Sequence, residues 1–211
     1  MKKLALFSKG KMMKAKFITF EGGEGVGKST QIQLLFNHLN SLKIPVIVTR
    51  EPGGCKSAEK IRSLFVEQQF DPLTQTHLIM AARREHYIAT LKPHIEKGFW
   101  VLCDRFIDST LVYQGLKGIS SDQILSLHNS VCENLMPDIT FLLDLSVEKS
   151  LERLSKRTDQ NAFDHDSFQI HEQRRNFYLE VLNKNPKRIH KINAEGETLE
   201  IFQEILNFLS L

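Results

Sequence analysis

The stretch that most constrains this chain is "FITFEGGEGVGKSTQIQLL", Phe17 to Leu35. An apolar run ends at Glu21, a glycine-rich turn follows, and a helical pattern opens at Lys28. Gly22-Gly23-Glu24-Gly25-Val26-Gly27-Lys28-Ser29 fits GxxxxGK[ST] at every fixed position, after a strand and at the start of a helix. Glycines let backbone amides wrap closely around phosphate, and the helix dipole adds positive potential at the same point. The segment Gly22 to Thr30 therefore reads as a cradle for a nucleoside triphosphate. Lys28 is placed to reach the β- and γ-phosphates, and the Ser29 hydroxyl to face Mg2+.

A strand, cradle and helix at the start imply an α/β fold, and the rest of the chain agrees. Apolar runs bounded by turn residues predict strands at Phe17–Glu21, Val46–Thr49, Trp100–Asp104, Ile139–Asp144 and Arg188–Ile192. Helical spacing predicts helices at Lys28–Leu42, Ala58–Glu67, Thr76–Glu96, Asp122–Leu135, Val147–Lys156, Phe168–Asn183 and Leu199–Leu209. Pro93 is expected to end or kink the third of these. The alternation predicts a three-layer fold, a five-stranded parallel sheet with helices on both faces. Residues 1–15 are basic and read as a disordered extension, or as the product of a start codon upstream of Met12 or Met13, and 16–211 as a single domain.

The net charge of +3 is too small to suggest a nucleic-acid partner. No apolar run approaches the ~20 residues of a membrane-spanning helix. Cys55, Cys103 and Cys132 lack metal-site spacing and read as reduced thiols, which suits a cytoplasmic location.

In open parallel sheets ligands bind beyond the carboxyl ends of the strands, and two further motifs fall there. "TREPGG" places Arg50 and Glu51 after the second strand. "DRFIDSTLVYQG" follows the third. Asp104 suits Mg2+, held through water. Arg105 offers a planar fork for phosphate, and Tyr113 and Gln114 offer an aromatic wall and an amide. No GTPase-type Asn-Lys-x-Asp run is present, and scattered arginines favour a kinase acting on a small anion. On the residues alone, a different nucleoside monophosphate kinase and an inactive nucleotide-binding module both remain open.

"FEGGEGVGKST", "TREPGG", "AARREH" and "CDRFIDSTLVYQG", in this order, resemble bacterial thymidylate kinase from about Lys16 to the C-terminus. The resemblance implies a P-loop kinase fold and transfer of the ATP γ-phosphate to dTMP, giving dTDP for dTTP synthesis. It implies Mg2+ with ATP, a homodimer, and a short lid at about 156–168. It also implies individual roles. Glu24 would accept a hydrogen bond from the dTMP 3′-hydroxyl, and Arg105 would clamp the dTMP phosphate. Arg50 and Glu51 would line the phosphate and magnesium region, with Arg62 near the nucleotide. Arg83 would bond the thymine carbonyl, Thr110 and Gln114 would meet the thymine edge, and Tyr113 would pack under the deoxyribose. Arg153 would lie against adenine. His86 is expected only to pack or cap within its helix.

Two positions depart from the family pattern. Ile79 stands where a phenylalanine usually stacks on the base. Ala162 stands where relatives with glycine at the Gly25 position carry a lid arginine. Lys156 and Arg157 are the nearest substitutes, so Arg157 joins Lys28, Asp104 and Arg105 as a catalytic candidate.

Overall fold

The computed structural model describes residues 15–156, 158 and 162–211. Five parallel strands form one sheet: β1 (Phe17–Glu21), β2 (Val46–Arg50), β3 (Trp100–Asp104), β4 (Ile139–Asp144) and β5 (Ile189–Asn193). Their spatial order is β2-β3-β1-β4-β5, so the chain reverses its winding direction on either side of β1. Such a switch point opens a crevice at the strand ends, and the glycine-rich turn leaves β1 into it.

Alternation along the strands divides the core. Ile18, Phe20, Trp100, Leu102, Phe141 and Leu143 pack on one face against α1 (Lys28–Ser41) and α9 (Thr198–Leu209). Phe17, Val101, Cys103 and Leu142 pack on the other, against α3 (Pro72–His86), α5 (Ile107–Gly115), α6 (Ser121–Cys132) and α8 (Phe168–Lys184). With both faces covered, β1, β3 and β4 read as continuous apolar runs. The remaining helices are α2 (Lys56–Glu67), α4 (Lys92–Glu96) and α7 (Val147–Ser155).

The predicted elements differ from the observed ones where capping intervenes. The third helix begins at Pro72, not Thr76, because the Asp71 side chain accepts from the Leu73 and Thr74 amides and Pro72 needs no amide partner in the first turn. Before Pro93 the backbone widens into a π-turn over Tyr87–Leu91 rather than breaking. α6 stops at Cys132 rather than Leu135, because Glu133 and Asn134 turn to positive φ, 53° and 60°.

α5 was not predicted. Its first turn is capped from a distance: Glu21 Oε1, at the end of β1, accepts from the Phe106 amide at 2.7 Å and the Ser109 amide at 3.3 Å. A carboxylate at a helix N-terminus also meets the positive end of the dipole.

Candidate active site

The cradle sits at the switch point. Gly22 has φ +131°, and a Cβ there would lie 2.5 Å from the Leu143 carbonyl oxygen. Gly25 has φ +72°, and α7 passes so close that a Cβ would lie 2.7 Å from the Ser150 carbonyl oxygen. Both positions demand glycine for conformation and for space. Val26 is buried in the core, and Gly27 ends the turn at the N-cap of α1. Lys28 lies along the loop, its Nζ donating to the Gly23 carbonyl at 2.6 Å and the Gly22 carbonyl at 3.2 Å. Burial, and then the nearby Arg105 charge, pull its pKa down to about 8.

A cleft of about 960 Å³ opens beside the cradle. It is lined by Glu24 to Gln31 and brings together Arg50, Glu51, Arg62, Ile79, Arg83, Asp104, Arg105, Thr110, Tyr113, Gln114 and Arg153. Gly22 and Gly23 face instead a small crevice behind the loop, with His171, Arg175 and Tyr178. Arg157 lies outside the described residues, as do residues 1–14 of the expected extension.

At the end of the cleft nearest Lys28, Ser29 Oγ lies 3.4 Å from Asp104 Oδ2. Asp104 Oδ1 is buried and makes no hydrogen bond within the described protein. A hydroxyl and a carboxylate with a spare lone pair fit Mg2+ held mainly by nucleotide phosphates, since this ion takes one or two carboxylates and keeps waters. Arg153 donates to the Ala194 carbonyl at 3.3 Å, beside Gly27.

At the other end of the cleft, Arg83 is fully enclosed. Its Nε donates to Glu51 Oε2 at 2.7 Å and its Nη2 to Thr110 Oγ1 at 2.7 Å, with the Phe106 ring 4.9 Å away. Glu51 spends its other oxygen on His86 Nδ1 at 2.9 Å. Burial alone would raise the Glu51 pKa; Arg83 and His86 outweigh it and hold the carboxyl below the usual range. Glu51 is thus committed to orienting Arg83 and His86. His86 is buried, but its bonds run outside its helix, where the expectation had it pack or cap within it: Nε2 meets Thr49 Oγ1 at 2.6 Å. Arg50 swings outward and pairs with Glu59 at 2.9 Å, while Arg62 donates to the Pro52 carbonyl at 2.8 Å. Ile79 forms an apolar wall, 6% exposed. Gln114 donates to Gln75 at 3.3 Å, and its Oε1 is buried without a hydrogen-bond partner among the described residues.

Between the two ends stands Glu24. Tyr113 Oη donates to its Oε1, Arg105 Nη2 lies 3.2 Å from the same oxygen, and Arg174 Nη1 lies 3.5 Å from Oε2. Burial would raise its pKa, but Arg105, Arg174 and Lys28 hold it below the usual carboxylate range. Arg105 is anchored in turn, donating from Nη1 to the Gly22 carbonyl at 3.0 Å, Ser109 Oγ at 3.0 Å and Tyr178 Oη at 2.8 Å.

Sequence reasoning missed Arg174, Ser109 and Tyr178. It sought the lid-side positive charge at Lys156 and Arg157, yet Lys156 is exposed and pairs with Glu152 at 2.7 Å. Among the described residues, a further cation that reaches Glu24 is Arg174, from α8. No motif marks it; only the packing of α8 against α5 brings it there.

Comparison with known proteins identifies the family. The family model described as thymidylate kinase matches residues 20–205. A thymidylate kinase of Rickettsia typhi is 42% identical over 203 residues, covering 94% of this chain and 99% of the relative. One from Bartonella quintana is 43% identical, covering 92% and 95%. A crystal structure of thymidylate kinase from Ehrlichia chaffeensis superposes with a TM-score of 0.78 at 32% identity, covering 93% of this chain and all of that one. The chain belongs to the thymidylate kinase family, and is an ATP-using kinase that phosphorylates dTMP to dTDP.

Proposed function

We propose that dTMP and Mg2+-ATP lie end to end in the 960 Å³ cleft, meeting at Glu24 and Arg105. The observation that carries this is the shared carboxylate. Glu24 belongs to the phosphate cradle, yet its partners Tyr113 and Arg105 belong to the opposite wall. One side chain ties the donor's loop to the acceptor's pocket.

In this reading Lys28 and the loop amides hold the donor phosphates, with Arg153 beside adenine. Ser29 and Asp104 hold the metal, which neutralises charge on the β- and γ-phosphates. Arg105 clamps the acceptor phosphate, and Glu24 takes the 3′-hydroxyl. Arg83, Thr110 and Gln114 read the thymine edge against Ile79, and Tyr113 supports the sugar. Positioning and charge neutralisation then dominate the chemistry, with no strong base required.

Residues 16–211 act as one kinase unit, with residues 156–168 as a lid: Phe163 and Asp164 already line the cleft. The chain pairs as a homodimer through the outer helices, a reading supported by exposed Leu64, Leu73 and Ile88 on neighbouring elements. Sedimentation equilibrium tests it; a monomer at micromolar concentration refutes it. Three cysteines without disulfides support a cytoplasmic setting.

The direct test of the site is ADP release with dTMP, dUMP, AMP, GMP and CMP, in the wild type and in Arg105→Ala. The variant should raise KM for dTMP far more than KM for ATP. The reverse pattern would mean that the two subsites are exchanged.

A further inference from the structure

Arg174 is a charged side chain that the assigned roles leave unused. It sits on α8, is 6% exposed, and reaches three parts of the site at once. Its Nη1 lies 3.5 Å from Glu24 Oε2 and 3.5 Å from the Phe163 carbonyl oxygen. Its Nη2 pairs with Asp166. Its guanidinium carbon lies 4.7 Å from the Tyr113 ring centre and 5.6 Å from that of Phe163.

A buried guanidinium is costly unless its charge is compensated, and a planar fork meets two acceptors in fixed relative positions. Here the two are the carboxylate of the phosphate cradle and a carboxylate of the segment that carries Phe163 and Asp164 into the cleft. We infer that Arg174 is a positioning residue for phosphorylation of dTMP, fastening the 162–167 segment to Glu24 and setting the acceptor end of the cleft. The inference rests on the assignment of Glu24 and Arg105 to that end.

The fastening acts on one substrate. Glu24, Tyr113 and Phe163 shape the acceptor end, whereas the donor phosphates meet Lys28 and the loop amides. A strut that only stabilised α8 would change the unfolding midpoint and leave the ratio of the two KM values alone.

The experiment is steady-state kinetics on the full chain with Arg174→Met, Arg174→Lys, Asp166→Asn and the double variant Arg174→Met/Asp166→Asn, each checked by thermal unfolding. Loss of a hydrogen bond to a charged group predicts that Arg174→Met raises KM for dTMP about ten- to a hundredfold, while KM for ATP changes less than about twofold. Arg174→Lys, which keeps the charge but loses the fork, should fall between. Asp166→Asn should reproduce part of the rise and add nothing to Arg174→Met, because both cut the same fastening. Arg105→Ala run in parallel separates two failures. If it raises KM for dTMP while a folded Arg174→Met does not, the positioning role is wrong and the site stands. If neither does, the assignment of the acceptor end is wrong. Equal changes in both KM values, or additive effects of the two substitutions, also overturn the proposal. Asp166→Asn, on a partly exposed side chain, keeps the test open if Arg174→Met does not fold; an unchanged KM for dTMP in that variant would refute the fastening.

Discussion

Glu51 Oε2 and Arg83 Nε are 2.7 Å apart, and both side chains are sealed from solvent, at 3% and 0% exposure. The pair fixes Arg83 in the wall of the cleft. Removing one charge leaves the other buried and uncompensated, which costs about 3–5 kcal/mol. Glu51→Gln should lose stability on that scale in urea unfolding and raise KM for dTMP. The folded pKa of Glu51 is depressed, so its contribution is present above the ordinary carboxylate range and fades as pH falls through the folded value. Glu51→Gln should therefore show a flatter acid limb of stability than the wild type. An unchanged unfolding midpoint at pH 7 would contradict the pairing.

The turn in "TREPGG" leaves no room for a side chain at its second glycine. Gly54 has φ +83°, and a Cβ there would lie 2.4 Å from His86 Nε2 and 2.5 Å from Thr49 Oγ1. Gly54→Ala should disrupt the Thr49–His86–Glu51 chain behind Arg83 and cost more than about 1 kcal/mol, because an exchange that would stabilise slightly at a strain-free site is here opposed by both the positive φ and the lack of space. It should also weaken dTMP more than ATP. Stability within about 0.5 kcal/mol of wild type would show that the loop relaxes freely.

The strands and the cradle were legible because their signals are local. β1, β3 and β4 are contiguous apolar runs, and GxxxxGK[ST] carries its own context. What was illegible depends on contacts between distant residues. α5 lacks a polar face, with Asp108, Thr110 and Gln114 all buried, and its amide cap comes from Glu21, some 85 residues earlier. Asp108 is satisfied by Arg188 at 2.7 Å across the fold. Arg174 sits in "EQRRNF", which reads as an exposed helical face until α8 is packed. The Asp71-Pro72 helix start was legible and was missed.

Lys28 offers a pH test. Its pKa is lowered to about 8, by burial first and by Arg105 second. Below that value Nζ is charged and attracts phosphate; above it the charge is lost. Since kcat/KM reports the free enzyme, kcat/KM for ATP should fall as pH rises through about 8. The stability sign is opposite. Between about 8 and the ordinary 10.5 the unfolded chain binds the extra proton, so stability rises with pH across that window. Lys28→Met should remove both trends and abolish turnover while the chain stays folded. A flat kcat/KM profile up to pH 10 in the wild type would contradict the lowered pKa.

Glu24 gives the sharpest test of how the two substrates meet. Its carboxylate is held by Arg105, Arg174 and Tyr113, so an isosteric Glu24→Gln removes the charge while keeping the shape. Burial and the Glu24 carboxylate hold the Tyr113 phenol well above the ordinary tyrosine range; the phenol is therefore a donor, and it can still donate to the amide oxygen. The glutamine must place its NH2 on the other side, facing Arg174, where two donors meet. A charge-assisted hydrogen bond is worth about 1.5–3 kcal/mol, so KM for dTMP should rise about ten- to a hundredfold. With 3′-deoxy-dTMP the wild type already lacks the hydroxyl, and the same substitution should cost much less. KM for ATP should barely move if, as proposed, the donor phosphates meet Lys28 and the loop amides rather than this side chain. Equal losses for dTMP and its 3′-deoxy analogue would assign Glu24 to holding Arg105 and Arg174 in place, with no contact to the sugar.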